Sequence, residues 1–288
     1  MKDVFDYDIP AENTGECWAV SAHPNGDCIC KDGLFKGKSL SYLWAHEPSL
    51  FGNVSGDRFP LLLKVIDAKT DLSIQVHPDD TYAKEHENGS LGKTECWYIL
   101  DAEENSTLVV GHNAKSREEL CKLIDQKNFD GLFSLVPVKK GDFIQIDPGT
   151  VHAIKGGVMI LETQQNSDIT YRVYDYDRLQ NGKPRDLHLE QSKAVITVPA
   201  KEGSVIATST APGFEKLVDC KYYSVTKINV CGNLSCETSD IFRIVSCVEG
   251  KGKVCDTFVK AGDHFVVPAG FESLTFEGEM TLIMSNPN

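Results

Sequence analysis

Polar side chains with the spacing of a metal site stand in the first third of the chain. In the segment LSIQVHP, residues 72–78, the alternation of a β-strand puts Ser73, Gln75 and His77 on one face. Glu95 begins a second strand-like run, which continues as CWYIL. If the two strands pair, His77 and Glu95 converge. A histidine, a carboxylate and a nearby amide form a metal site that still needs one more ligand.

A repeated turn supplies that ligand. Residues 141–152, GDFIQIDPGTVH, and residues 262–273, GDHFVVPAGFES, both begin a strand at Gly-Asp and end it at proline and glycine. His152 follows the proline of the first copy, whereas the second copy has Ser273 near the matching place. We therefore expect the first copy to bind a metal and the second copy not to.

Each of these residues also has an ordinary explanation. A single histidine on a strand is more often a hydrogen-bonded polar residue than a metal ligand. Two imidazoles and one carboxylate suit zinc, but the same set accepts iron, manganese or cobalt. Gln75 either completes the coordination sphere through its carbonyl oxygen or lines the pocket as a hydrogen-bonding group.

A candidate for anion binding follows the ligand segments. In LETQQNSDITYRVYDYDR, residues 161–178, strand alternation places Arg172 and Tyr174 on one face. An arginine beside a metal is costly unless it meets a carboxylate or a ligand anion. Its ordinary role would be an ion pair with one of three nearby carboxylates: Asp168, Asp175 or Asp177.

The strand signals dominate the rest of the chain. Short runs with turn residues between them recur from residue 59 to residue 165 and again after residue 213, which predicts a sandwich or barrel. The few helices have recognisable caps, which we place at Ser39, at Asp79 or Asp80, at Ser116 and at Asp186. We expect a metal-binding domain at 1–200, a linker at 201–213 and a second domain at 214–288.

The composition excludes some functions. Among 288 residues, 42 acidic side chains outnumber 29 basic ones, so general attraction to nucleic acid or to an anionic membrane surface is disfavoured. No apolar run reaches the roughly 18 residues of a membrane span, and no secretory signal is evident. The ten cysteines are scattered and contain no Cys-x-x-Cys pair, so we expect reduced thiols in a cytoplasmic protein.

The repeated turn, preceded by Gln-x-His and Glu, resembles the second motif of the cupins, which are double-stranded β-helix barrels. The resemblance implies an all-β bicupin with a few short helices, in which the C-terminal barrel is degenerate. The blocks QVHPDD, GKTECWYIL, PGTVHAI and QQNSDITYRVYDYDR further resemble the signature blocks of type I phosphomannose isomerases in their short form. This likeness extends over most of residues 1–200.

The resemblance implies a zinc-dependent aldose–ketose isomerase that exchanges mannose 6-phosphate and fructose 6-phosphate through an enediol. It implies one zinc ion per chain, bound by Gln75, His77, Glu95 and His152. It also implies that Arg172 is catalytic and that the substrate is contacted by Ser73, Lys93 and Arg178. The general base is left open among Lys93, Asp168 and a hydroxide on the metal.

Two other functions compete with this one. A different metal-dependent cupin enzyme, such as an iron dioxygenase, would use a similar metal site without cations for a phosphate group. A non-catalytic bicupin with a sugar-binding or regulatory role would bind a ligand without turnover. The partner expected in each case is a small molecule, without nucleic acid or membrane, and the sequence does not predict the oligomeric state.

Overall fold

The computed structural model describes residues 1–180, 182–201, 208–237, 239–271 and 273–288, with the backbone alone at 208–210. Its helices are short: α1 Lys2–Phe5, α2 Leu40–His46, α3 Asp80–His86, α4 Arg117–Asp125 and α5 Leu189–Val195, with a 3-10 turn at Pro48–Phe51. None of the helices in these ranges is long and apolar enough to cross a membrane.

Strands make up most of the regular structure. In chain order they are β1 Glu16–Val20, β2 Ala22–His23, β3 Gly26–Asp27, β4 Leu61–Ala68, β5 Ile74–Val76, β6 Glu95–Ala102, β7 Thr107–His112, β8 Phe133–Pro137, β9 Phe143–Ile146, β10 His152–Ala153, β11 Val158–Gln165, β12 Tyr171–Tyr174, β13 Leu179–Gln180, β14 Lys183–Pro184, β15 Thr208–Ala211, β16 Phe214–Asp219, β17 Tyr223–Glu237, β18 Arg243–Val254, β19 Thr257–Lys260, β20 His264–Val267 and β21 Ser273–Pro287.

The chain divides into two compact units. One consists of Met1–Val65 with Val205–Asn288, and the other of Ile66–Ser204, so strand β4 continues from the first unit into the second. The domain boundaries expected at residues 200 and 213 stay a prediction, because compactness alone does not fix where an independently folding domain begins. Of the predicted linker, residues 202–207 lie outside the described residues, and Thr208–Ala211 is strand β15.

Two sheets build the unit that contains the predicted site. One has the strand order β12-β5-β10-β7-β8, and the other contains the order β4-β11-β6-β9. All eight side chains of β11 are buried, which agrees with the apolar VMIL run that opens the strand. Apolar side chains from the first of these sheets pack with Leu120 and Ile124 of α4, and both of these side chains are fully buried.

The C-terminal part of the other unit is a sheet of long strands. Its order is β15-β16-β17-β21-β18-β19, and β20 also pairs with β18. Strands β17 and β21 are paired in antiparallel register along 15 residues each. Buried Val, Ile, Leu and Phe side chains of these strands form a separate core.

Three of the four predicted helix caps lie where the sequence places them. Ser39, Asp79 and Ser116 each accept a hydrogen bond from a backbone N–H in the first turn of α2, α3 and α4. The cap at Asp186 is wrong, because α5 begins at Leu189 and His188 occupies the capping position. The physical reason is tertiary: the N–H of His188 donates to the Arg172 carbonyl at 2.8 Å, so this segment is bonded to β12 and the helix begins after it.

Candidate metal centre

Three adjacent strands align predicted site residues in one row. Strand β5 lies between β12 and β10, and the Cα of Gln75 is paired with that of Arg172 on one side and that of His152 on the other. Paired residues of antiparallel strands point to the same face of the sheet. The arginine, the amide and the imidazole therefore share one face, and the amide nitrogen of Gln75 lies 3.2 Å from Nε2 of His152.

Strand alternation extends this face along β5. His77 follows the last residue of the strand and Ser73 precedes its first, each two positions from Gln75. Both side chains are buried, with 1% of His77 and 5% of Ser73 exposed. The rings of His77 and His152 are 4.8 Å apart between centroids.

Glu95 approaches the two histidines from the other sheet. It begins β6 and is paired with Gln164 of β11 and Ile146 of β9. Its Oε2 lies 3.4 Å from Nε2 of His77, and its Oε1 lies 3.4 Å from Nε2 of His152. The side chains of all three residues are buried, and their candidate ligand atoms lie within 4.8 Å of one another.

Backbone carbonyls set the protonation of both rings. Nδ1 of His77 is 2.8 Å from the Ile169 carbonyl oxygen, and Nδ1 of His152 is 2.9 Å from that of Thr150. A carbonyl oxygen only accepts, so Nδ1 carries the proton in each ring and Nε2 presents a lone pair. Two lone pairs and a carboxylate thus face one another.

This arrangement fits a cation. In the described part of the chain, Nε2 of His77 and both carboxylate oxygens of Glu95 are buried without a hydrogen-bond partner. Burial, reinforced by the charge of Lys93, lowers the pKa of His77 to about 3, and burial also lowers the pKa of His152. Both imidazoles are therefore neutral ligands at neutral pH, and a divalent cation would satisfy all of these atoms at once.

Lys93 lies beside the same carboxylate. Its Nζ is 2.9 Å from Oε2 of Glu95, outside hydrogen-bond geometry, and only 4% of the residue is exposed. Burial raises the pKa of Glu95, but Lys93 and the two histidines outweigh it and hold that pKa well below its usual value. The ionised carboxylate is thus available as a ligand.

Arg172 forms no ion pair with a carboxylate in the part of the chain that the structure describes. Its Nε is buried and has no hydrogen-bond partner, and no ion pair within the described ranges involves its guanidinium. Burial and the nearby charge of Arg185 lower the pKa of Arg172. The three carboxylates expected as ordinary partners thus form no ion pair with this side chain, although the charges of Asp175 and Asp168 act on it, and its Nε remains an unsatisfied donor.

Arg178 and Arg185 share one of those carboxylates. Arg185 donates from Nε and Nη2 to the two oxygens of Asp175 at 2.7 and 2.6 Å, and Arg178 pairs with the same group through Nη2. Arg178 also donates to the backbone oxygens of Asp175 and Asp71. Hydrogen bonds from Arg185 and Arg178 hold the pKa of Asp175 below its usual value.

Arg185 is a residue that the sequence reasoning missed. It follows the β13–β14 hairpin, whose strand pairing brings it back toward β12. The signal in the sequence was weak, since a basic residue after Gly-Lys-Pro is also common on an exposed turn. Two arginines on a single carboxylate carry one positive charge more than that carboxylate neutralises.

The fold and this site together indicate the class of protein to which the chain belongs. Facing antiparallel sheets hold two histidines and a glutamate in their interior, and this is the one group of three or more such side chains that is close enough to share a metal in the described residues. That combination is typical of metal-binding cupins.

Comparison with known proteins gives the family. Residues 1–100 match the model of the phosphomannose isomerase type I catalytic domain, and residues 214–287 match the cupin domain of mannose-6-phosphate isomerase. The chain is 46% identical to mannose-6-phosphate isomerase ManA of Bacillus subtilis, with 98% of this chain and 92% of that protein covered. It is 44% identical to the mannose-6-phosphate isomerase of Streptococcus mutans, with 100% and 93% covered. The chain belongs to the type I phosphomannose isomerase family.

Comparison with solved structures supports the same family. The crystal structure of the mannose 6-phosphate isomerase from Bacillus subtilis matches with a TM-score of 0.95 at 46% identity, over 99% of this chain and 93% of that one. A phosphomannose isomerase from Salmonella typhimurium shares the fold alone, with a TM-score of 0.79 at 16% identity over 100% and 94%. The predicted all-β bicupin with short helices is confirmed.

Proposed function

We propose that the protein is a zinc-dependent aldose–ketose isomerase that interconverts mannose 6-phosphate and fructose 6-phosphate through an enediol. The observation that carries the proposal is the row formed by Arg172, Gln75 and His152, because it sets a guanidinium with an unsatisfied donor beside a group of candidate metal ligands. The relatives named above as mannose-6-phosphate isomerases share nearly the whole chain.

The residues that would bind zinc are His77, Glu95 and His152, with Gln75 as the fourth. Two neutral imidazoles and one carboxylate are a donor set that zinc accepts, and one ion per chain satisfies it. As placed, Gln75 turns its amide nitrogen toward His152, so rotation of the amide by half a turn presents the carbonyl oxygen. When bound, zinc supplies a Lewis acid that polarises the sugar carbonyl.

The barrier to this reaction is the weak acidity of a carbon next to a carbonyl. A proton moves between C1 and C2, and negative charge develops on the carbonyl oxygen. Arg172 provides a fixed cation with a free donor for that charge, and a preorganised donor in a buried site is effective because it needs little rearrangement. This gives Arg172 its catalytic role in the proposal.

Lys93, Ser73 and Arg178 are proposed to contact the substrate. Lys93 and Ser73 are buried next to the metal ligands, whereas about a third of the Arg178 side chain is exposed. The net positive charge that Arg178 and Arg185 leave around Asp175 suits a phosphate group. Binding the phosphate away from the reacting carbons would contribute to positioning the sugar.

The substrate also suggests where the protein works. Sugar phosphates carry charges that hinder passage across a bilayer, so an enzyme that uses them as metabolites is expected in the compartment where they are made. We propose the cytoplasm as that compartment and a small-molecule sugar phosphate as the partner.

The test is isomerase activity with mannose 6-phosphate before and after chelation, and again after zinc is restored. We expect activity to fall to background on chelation and to return with about one equivalent of zinc per chain. A zinc-loaded protein without isomerase activity would rule the proposal out. If iron or manganese restores activity and zinc does not, the proposed metal is wrong but the proposed reaction stands.

A further inference from the structure

A buried amide at the end of β11 contacts the segment that carries Lys93. The Gln165 side chain accepts a hydrogen bond from the backbone N–H of Thr94 through Oε1, at 2.9 Å. Its Nε2 donates to Oδ1 of Asp80 at 3.0 Å. Only 4% of Gln165 is exposed; its bond to Thr94 is buried, and its bond to Asp80 is partly buried.

Asp80 completes the connection on the other side of Lys93. The same Oδ1 accepts from the backbone N–H of Gly92 at 3.0 Å. Gln165 and Asp80 thus bind the backbone one residue after and one residue before Lys93. The backbone N–H of Lys93 itself donates to the Pro78 carbonyl at 3.0 Å.

Close packing leaves this segment little room to shift. A Cβ added to Gly92 would lie 2.4 Å from both the carbonyl carbon of Asp79 and the nitrogen of Asp80. The start of α3, which Asp79 caps by accepting from the N–H of Tyr82, is therefore in direct contact with the backbone before Lys93.

The side chain of Lys93 depends on this backbone. Lys93 is buried, with 4% exposed, so packing leaves its side chain few alternative rotamers and the place of its ammonium follows from where its Cα is held. Here the ammonium lies 2.9 Å from Glu95. Small displacements of the backbone would move the charge away from both the metal ligand and the substrate.

We infer that Gln165 is a positioning residue which, together with Asp80, fixes the Lys93 ammonium for the reaction. This inference rests on the proposed function. A residue that only satisfies buried polar groups would change turnover by the same factor whether or not Lys93 is present. A residue that positions Lys93 would change turnover mainly when Lys93 is present.

The first measurement compares Gln165→Met with the unsubstituted protein, both full-length and zinc-loaded. Methionine keeps the length of the side chain and removes both hydrogen bonds. We expect kcat to fall roughly 10- to 100-fold, as for a catalytic group displaced by about 1 Å, with zinc content unchanged and a smaller change in KM. Gln126→Met, at an exposed position after α4, is the matched control and should retain full activity.

The decisive comparison repeats Gln165→Met in a Lys93→Ala background. If Gln165 acts through Lys93, the additional loss should shrink to less than about twofold. Equal losses of kcat in the two backgrounds would overturn the inference. If turnover of Lys93→Ala is too slow to follow, calorimetric binding of fructose 6-phosphate to the four proteins gives the same comparison, and equal losses of affinity would overturn it in the same way.

Two further variants keep the inference testable if Gln165→Met does not fold. Asp80→Ala removes the acceptor of both Gln165 and Gly92, and its effect should also depend on Lys93. Asp80→Asn keeps an oxygen acceptor and should lose less activity than Asp80→Ala. Isomerase activity of the unsubstituted protein is measured first: its absence rejects the proposed function, whereas activity with independent effects of Gln165 and Lys93 rejects only this inference.

Discussion

The two copies of the Gly-Asp turn each contain a histidine, but the two imidazole rings have different hydrogen-bond partners. His152 donates from Nδ1 to a backbone carbonyl, while Nε2 faces the Glu95 carboxylate across 3.4 Å. In the other unit, His264 has both nitrogens engaged, Nε2 with the Tyr7 hydroxyl at 2.8 Å and Nδ1 with the Ser246 hydroxyl at 2.7 Å. A cavity of about 570 Å³ borders His264, yet neither nitrogen is available to a ligand there.

Hydrogen bonds account for this difference. The Tyr7 hydroxyl donates to the Gly262 carbonyl at 2.7 Å, so toward His264 it accepts, and the imidazole proton is on Nε2. Nδ1 then accepts from Ser246. Nε2 of His152 faces a carboxylate and the Gln75 amide, which can turn its oxygen toward a metal, whereas both nitrogens of His264 are held by hydroxyl groups.

Replacing His152 should have the largest effect. In His152→Ala we expect zinc content to fall below about a tenth of an equivalent and activity to fall by roughly 1000-fold or more, because one of the buried ligands is lost. Metal analysis and the isomerase assay measure the two effects. His264→Ala is the matched control and should retain its zinc. Loss of zinc from both variants would contradict the comparison.

Replacing Arg172 should have the second-largest effect. Arg172→Lys keeps the charge but loses the planar set of donors, and we expect kcat to fall roughly 100-fold with zinc retained. Arg243→Lys is the counterpart in the other unit, where the guanidinium donates to Cys236 and to the backbone of Glu237. That variant should keep full turnover. An active Arg172→Lys protein would reduce this arginine to a structural role.

His264 should affect stability instead of activity. In His264→Ala the hydroxyl groups of Tyr7 and Ser246 each lose a partner, which costs about 1–3 kcal/mol of unfolding free energy. Chemical denaturation measures this change. His46→Ala replaces an exposed histidine and should alter stability by less than about 0.5 kcal/mol. Equal stability of the two variants would show that the side chains around His264 do not depend on it.

The smallest effect is a dependence of stability on pH. Burial lowers the pKa of His264 from 6.5 to about 4. Between these values the unfolded chain binds a proton that the folded chain does not, so the contribution of His264 is complete above pH 6.5 and declines as the pH falls toward 4. From pH 7.5 to 5.0 the protein should lose about 1–2 kcal/mol more than His264→Gln does. An identical decline in both proteins would contradict this expectation.

The sequence predicts which side chains share a face with Gln75, because strand alternation is a local rule. Alternation alone places Gln75 and His77 together, and the Pro148-Gly149 turn directs His152 into β10. These features need no knowledge of distant contacts.

Other features depend on tertiary contacts that local rules do not contain. Three carboxylates close to Arg172 in sequence were equally reasonable partners, yet Asp175 pairs with Arg185 because a hairpin returns the chain. Helix α5 begins after His188 and not after Asp186, because His188 is bonded to β12. Lys93 faces Glu95 through contacts of its backbone with α3 and β11, which its own sequence segment does not reveal.

The groups that orient His77 and His152 are main-chain oxygens, those of Ile169 and Thr150. In many metal sites a carboxylate side chain does this work, and a single substitution can abolish it. Here no substitution at residue 150 or 169 removes the acceptor, since every amino acid brings the same carbonyl. The tautomers of both rings are therefore robust to mutation as long as the path of the backbone is kept, and an engineer who wants a different metal must change the ligands themselves.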